Sequence, residues 1–175
     1  ISDYLRNQNA ENAKQSNKLP VAIYAEGESL TALKVMRSAG INPANGKEIF
    51  VVKDGKQTYT YNYNDRIVVG DLTPTLQGAF GLAANAGNFS LSVSFTYRLG
   101  ATIYNATLAN KVEGINPMHN VDRRAFYNRW QTPGDKALYK HIAAQEITPP
   151  TSRFVKKEYA LDGTSLMLGY DVPNG

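Results

Sequence analysis

Apolar and polar residues alternate without a fault from Phe89 to Leu99. Phe89, Leu91, Val93, Phe95, Tyr97 and Leu99 are apolar, and Ser90, Ser92, Ser94, Thr96 and Arg98 between them are polar. A period of two places the two sets on opposite faces of a β-strand. At about 3.3 Å per residue the stretch spans about 35 Å. Tilted by about 40–45°, as strands of outer-membrane barrels are, it covers about 25 Å, the height of the apolar band such barrels show to lipid. Strands of soluble sheets commonly run to about 5–6 residues, so this one exceeds what a soluble sheet needs.

The stretch 78–86 supplies a partner. With Gly87-Asn88 as a two-residue turn, Gly stands at the first central position, as type II′ requires. Ala86 then pairs with Phe89, Ala84 with Leu91, Leu82 with Val93, Phe80 with Phe95 and Gly78 with Tyr97, all on the apolar face. Asn85 with Ser90, Ala83 with Ser92, Gly81 with Ser94 and Ala79 with Thr96 fall on the other. A one-residue slip would exchange the faces, so the agreement supports this register. A four-residue loop keeps the same parity and stays open.

Elsewhere the pattern is shorter or weaker. Residues 1–19 are polar and read as an extramembrane connection with a helical turn or two, closed by Pro20. Leu30 to Arg37 alternates only fairly, but the bounding Gly27 and Gly40 favour strand over helix. Residues 41–46 are dense in turn formers. Phe50–Lys53 and Thr58–Tyr61 flank Asp54-Gly55, a hairpin signal. Arg66–Val69 reads as a short strand and Gly70–Pro74 as a turn. These pieces are too short to cross a bilayer and read as a small β-structured excursion between longer strands.

Residues 100–150 hold no sustained period of two. Ala106–Val112 reads as a short helix and Val121–Trp130 as another, with Asn120 as its N-cap. Pro133-Gly134-Asp135 reads as a turn, and Pro149-Pro150 ends the segment. About fifty residues is far beyond an ordinary loop, so the segment is expected to be functional or to carry structure of its own. An extended pattern resumes at Arg153–Tyr159 and alternates again from Thr164 to Val172, with Leu166, Leu168, Tyr170 and Val172 on one face. The turn signal Pro173-Asn174-Gly175 then implies a further strand.

Composition narrows the classes. Net charge is +4, and the charges are scattered, so no nucleic-acid stripe is indicated. The chain has no cysteine, which excludes disulfides, thiolate metal sites and cysteine catalysis. No apolar run is long enough for a transmembrane helix; a β-barrel spans without one. The first residue is Ile1, as expected after leader removal or for an internal piece of a longer chain. The 11 Tyr suit surfaces where one end of the ring is dry and the other wet, or simply a β-rich protein.

Candidate chemistry is thin. His119 and His141 are the only histidines and lack metal-ligand spacing. Asp122 and Asp135 are not brought together by any pattern, and no glycine-rich stretch has P-loop form. No catalytic residue, cofactor site or metal site is assigned. In the long segment, Tyr127 and Trp130 are candidate contacts for a ligand or partner; packing of the loop by its own side chains is the simpler role.

Several segments in order resemble a known family: Ala25–Leu30, Arg37–Ile49, Val69–Pro74, Asn120–Arg124, Arg129–Asp135 and Pro150–Val155. The chain, from about Pro20 to its end, is similar to the late barrel region of the SusC/RagA family of TonB-linked outer-membrane transporters of Bacteroidetes. The resemblance implies an all-β fold whose antiparallel strands form part of a 22-stranded, plugged transmembrane barrel. It implies long extracellular loops carrying short helices, import of oligosaccharides or peptides, a SusD-like surface lipoprotein as lid, and coupling to TonB. The plug, TonB box, early strands and final strands are not in this sequence, so residues 1–175 are expected to be a fragment of the barrel domain.

In that setting Gly87-Asn88 is a periplasmic turn and residues 100–150 an extracellular loop. Phe80, Leu82, Leu91, Val93, Phe95, Tyr97, Leu166, Leu168 and Tyr170 are expected to face lipid. Ser92, Ser94, Thr96 and Arg98 are expected to line the lumen. The rivals are a small complete barrel, which needs about eight spanning strands where three or four segments qualify, a soluble carbohydrate-binding module, and an enzyme.

Overall fold

A computed structural model of the chain describes residues 2–14, 20–116, 118–144 and 147–173. One helix and seven strands follow in order: α1 (Asp3–Lys14), β1 (Ala32–Ile41), β2 (Glu48–Val51), β3 (Gln57–Thr58), β4 (Arg66–Asp71), β5 (Leu76–Ala86), β6 (Phe89–Tyr104) and β7 (Val155–Tyr170). Two compact units result, one of residues 1–72 and 103–156, the other of residues 73–102 and 157–175.

The first unit is built on an antiparallel sheet in the order β3-β2-β1-β4. The hairpin around Asp54-Gly55 forms as its turn residues require. Phe50 pairs with Thr58 and Val51 with Gln57, and Gly55 takes φ +87°, where a side chain would be strained. The strand expected over Leu30–Arg37 starts at Ala32 and runs on to Ile41. Its alternation is weak for a physical reason: Leu33, Lys34, Val35 and Met36 are all buried, so both faces are covered. Lys34 is tolerated there because it pairs with Glu28. The expected turn at Gly70–Pro74 begins later, since β4 continues to Asp71.

The long connection closes over this sheet. Thr151 bridges to Met36, whose N–H donates to the Pro150 carbonyl, and the Ser38 N–H donates to Ser152 Oγ. Phe154, Met36, Val35 and Val112 are fully buried and form the centre of the core. The polar N-terminal residues make more helix than a turn or two. α1 buries nothing but is tied down by Asn9, which exchanges hydrogen bonds with the backbone of Tyr24, and by Asn12, which donates to the Ala22 carbonyl.

The second unit is an antiparallel sheet in the order β5-β6-β7. The β5–β6 register is the one read from the alternation, from Ala86 opposite Phe89 to Gly78 opposite Tyr97, and it extends to Leu76 opposite Leu99. Gly87 takes φ +59°, and Asn88 stays at negative φ, as a II′ turn asks. β6 runs beyond Leu99 to Tyr104. The alternation stops because Gly100 takes φ +83°, which breaks the pleat. β7 is continuous from Val155, whereas Arg153 lies in a short 3₁₀ turn (Ser152–Phe154) and Val172 lies past the strand's end. The turn expected at Pro173–Gly175 falls at Asn174 and Gly175 outside the described residues.

Candidate functional site

Two features stand out, one in each unit. In the sheet of the second unit, the apolar face carries Phe80, Leu82, Leu91, Val93, Phe95 and Tyr97. Phe80 stacks on Phe95 with ring centroids 5.2 Å apart and lies 6.4 Å from Tyr97. Phe89 tilts against Tyr170 at 4.7 Å, and the Asp171 N–H donates to the Asn88 carbonyl. These rings touch one another, and much of the face stays exposed: Phe80 is 53% exposed, Phe89 57% and Leu82 66%, while Val93, Phe95 and Tyr97 are half-buried; on β7, Leu166 is 76% exposed and Leu168 73%. Contiguous exposed apolar side chains of this kind mark a surface that lipid or a protein partner covers.

The opposite face carries Ser92, Ser94, Thr96 and Arg98. Arg98 reaches Asp162 at 3.4 Å, and Thr164 Oγ1 donates to the Ser94 carbonyl at 3.0 Å. Gly78 belongs to the apolar face for a steric reason. A Cβ there would lie 2.7 Å from the Tyr97 hydroxyl, so the ring of Tyr97 lies over the bare backbone. No helix is long and apolar enough to cross a membrane, a finding that does not bear on strands.

In the first unit, the long connection is fastened by two arginines. Arg153 binds Glu48 through Nε and Nη2 at 2.8 and 2.7 Å. It binds Glu113 through Nη1 and Nη2, both at 2.7 Å. Its Nη1 also donates to the Leu138 carbonyl at 2.7 Å. Both carboxylates are buried. A planar fork with five donors suits two carboxylates as a lysine would not. Burial works against the charge of Arg153, but the hydrogen bonds and charges of Glu48 and Glu113 outweigh it and raise its pKa further.

Arg129 makes a second clamp. It donates to the backbone carbonyls of Ala125, Lys140, Val112 and Glu113 at 2.5–3.1 Å, joining three stretches of the connection. These donors satisfy four carbonyls where the loop is buried.

Of the two helices expected in the connection, the one over Ala106–Val112 forms, largely in the wider π form, and the one over Val121–Trp130 does not. Ala106 and Thr107 begin a turn that continues as a π-helix, Leu108–Glu113. Val121–Trp130 forms only a 3₁₀ turn, Arg123–Ala125, and the cap is Asp122 rather than Asn120. Asp122 Oδ1 accepts from the Arg124 N–H at 2.8 Å, and its other oxygen accepts from Arg124 Nη2 at 2.7 Å. These bonds hold the carboxyl at about 2, below its usual 3.8. Asn128 at φ +56° stops the helix from continuing.

The turn at Pro133–Asp135 forms as read. Asp135 accepts from the N–H groups of Thr132 and Gln131, which lowers its pKa. Asp122 and Asp135 therefore each serve their own turn.

Trp130 Nε1 donates to the Pro43 carbonyl at 2.8 Å, and its ring covers Gly46, where a Cβ would be 2.6 Å away. Its other neighbour is His141, edge-on at 5.6 Å. Trp130 thus packs the loop on the 42–46 turn. Tyr127 is 53% exposed, with the guanidinium of Arg123 over its ring at 5.3 Å. The structure does not bring Tyr127 and Trp130 to one pocket.

A cavity of about 520 Å³ lies instead among Lys47, Glu48, Phe50, Tyr59, Tyr61, Lys140 and Ile147. Sequence reading missed it, because its two halves lie about ninety residues apart in the chain. Among the described residues no group of three or more His, Asp or Glu is placed to hold a metal.

No protein-family model matches the chain, and no curated protein matches it. Solved structures do share its fold. The RagAB peptide importer in its open-open state matches with a TM-score of 0.68 at 21% identity. The RagAB peptide transporter matches with 0.67 at 22%. Each match covers 82% of this chain and 16% of the other, so the chain spans a small part of the length of these neighbours. The antiparallel β fold expected from the alternation is thus the fold of a segment of a transport protein.

Proposed function

We propose that this chain is part of the barrel of a TonB-dependent outer-membrane importer that takes up oligopeptides or oligosaccharides with a SusD-like surface lipoprotein. The observation that carries the reading is the uncovered apolar face of β5, β6 and β7. Phe80, Leu82, Leu91, Val93, Phe95, Tyr97, Leu166, Leu168 and Tyr170 meet lipid in this reading, and Ser92, Ser94, Thr96 and Arg98 line the lumen. Burying a large apolar side chain fully is worth about 1.5–3 kcal/mol, so lipid or a protein core must cover such a face. β5 has 11 residues and β6 has 16, enough at the tilt of barrel strands to cross the apolar layer. The likeness to importer chains supports the same reading.

The two-residue turn at Gly87-Asn88 is then the periplasmic connection and residues 105–154 the extracellular one, in keeping with the short-turn, long-loop asymmetry of such barrels. The Arg153 and Arg129 clamps give that loop a fixed shape on which a lipoprotein can seat. A soluble carbohydrate-binding module would bury Leu91 and Leu168 in its own core.

Uptake in cells tests the proposal. Loss of the intact protein is expected to abolish energy-dependent entry of a labelled oligopeptide or oligosaccharide mixture, and loss of TonB is expected to add nothing further. Unchanged entry of both cargoes would contradict it.

A further inference from the structure

The cavity in the first unit has a lining that selects for one chemistry. Lys140 is only 7% exposed, yet among the described residues its ammonium has a single opposite charge, Glu113 Oε1, at 3.7 Å. That is an ion contact too long for a hydrogen bond, and both oxygens of Glu113 are already held by Arg153 at 2.7 Å. An ammonium has three N–H donors to place, and Lys140 Nζ, which is not sealed from solvent, is free to present them to a ligand.

Both oxygens of Glu48 also bind Arg153. The hydroxyl of Tyr59 accepts from Asn42 and that of Tyr61 from Arg66, so each phenol keeps its O–H to donate. Among the described residues, Lys47, Lys140 and Arg153 set three positive charges against the two of Glu48 and Glu113. The rest of the wall is the Thr60 hydroxyl and apolar surface, with Phe50 edge-on to Tyr61 at 5.8 Å and Ile147 at 57% exposure.

We propose that this cavity binds a carboxylate carried next to an apolar side chain, the chemistry of the last residue of a peptide. Lys140 takes the carboxylate, and Phe50, Tyr61 and Ile147 flank the apolar group. The assignment rests on the importer reading for the meaning of the site, but binding does not require transport.

Saturation-transfer NMR on the intact, detergent-solubilised protein tests it, with N-acetyl-leucine, N-acetyl-leucinamide and glucuronate as probes. N-acetyl-leucine is expected to bind at millimolar concentration. The amide, which lacks the charge, and glucuronate, which lacks the apolar side chain, are expected to bind at least about tenfold more weakly, the size of one charged hydrogen bond or one apolar contact. Lys140→Met is expected to weaken N-acetyl-leucine by the same factor.

Ile147 is exposed enough to change without disturbing the fold, so Ile147→Asp and Ile147→Lys decide the matter even if Lys140→Met fails to fold. The aspartate is expected to weaken N-acetyl-leucine, and the lysine to leave it equal or tighter. Equal binding of acid and amide, tighter binding of glucuronate, equal behaviour of the two Ile147 variants, or no binding at all would overturn the proposal. Cells that import nothing while the Ile147 pair still behaves as expected would sink the importer reading and leave the site standing.

Discussion

Arg153 joins carboxylates that lie 105 and 40 residues away in the chain. Its removal leaves Glu48 and Glu113 buried with, among the described residues, Lys140 and the Thr148 hydroxyl near Glu113 as partners. Removing one member of a buried ion pair costs about 3–5 kcal/mol. Arg153→Met is therefore expected to speed hydrogen exchange of the loop amides in the intact protein by at least about a hundredfold; an unchanged rate would show that the loop is held by other means. Tyr104 gives the opposite case. Its ring lies edge-on to Phe154 at 6.0 Å, and its buried hydroxyl has no hydrogen-bond partner. Tyr104→Phe removes a polar group that costs about 1–3 kcal/mol to leave unmet, so it is expected to leave loop exchange the same or slower. Faster exchange would mean that the hydroxyl has a partner after all.

At the scale of the element, the β5–β6 hairpin was legible because one face is uniformly apolar, and that fixes parity and register together. Residues 32–41 were hard to place because both faces are covered, and Val121–Trp130 was misread because Asp122 and Asn128 settle its shape through local bonds and a positive φ. Neither the Arg153 cluster nor the cavity has a sequence signal, since each joins positions far apart in the chain. The hairpin register has a direct check, because the chain is free of cysteine. Ala83→Cys with Ser92→Cys stand directly opposite, at a spacing across antiparallel strands that a disulfide spans. That pair is expected to oxidise readily and Ala83→Cys with Val93→Cys poorly; the reverse would mean a slipped register.

The turn at Asp122 has its own signature in pH. Its folded-state value is depressed, so its contribution is complete above the usual 3.8 and is lost as the pH falls through about 2. The Arg124 amide is expected to stay protected at pH 4 and to lose protection toward pH 2, as followed by exchange at each pH. Loss already at pH 5 would mean that the cap is not what holds the turn.

For the whole molecule, the two units make different demands on their surroundings. The first buries Val35, Met36, Val112 and Phe154 in a core of its own. The second presents a sheet with large apolar side chains uncovered and needs something to cover them. What the chain does turns on whether that cover is lipid. Single cysteines at Leu91, Leu166, Ser92 and Ser94 of the intact protein in lipid nanodiscs, each carrying a small fluorophore, put the question directly. Quenching by spin-labelled lipid is expected at Leu91 and Leu166, with aqueous iodide reaching Ser92 and Ser94 instead. Lipid quenching at the serines, or none at the leucines, would contradict the membrane reading.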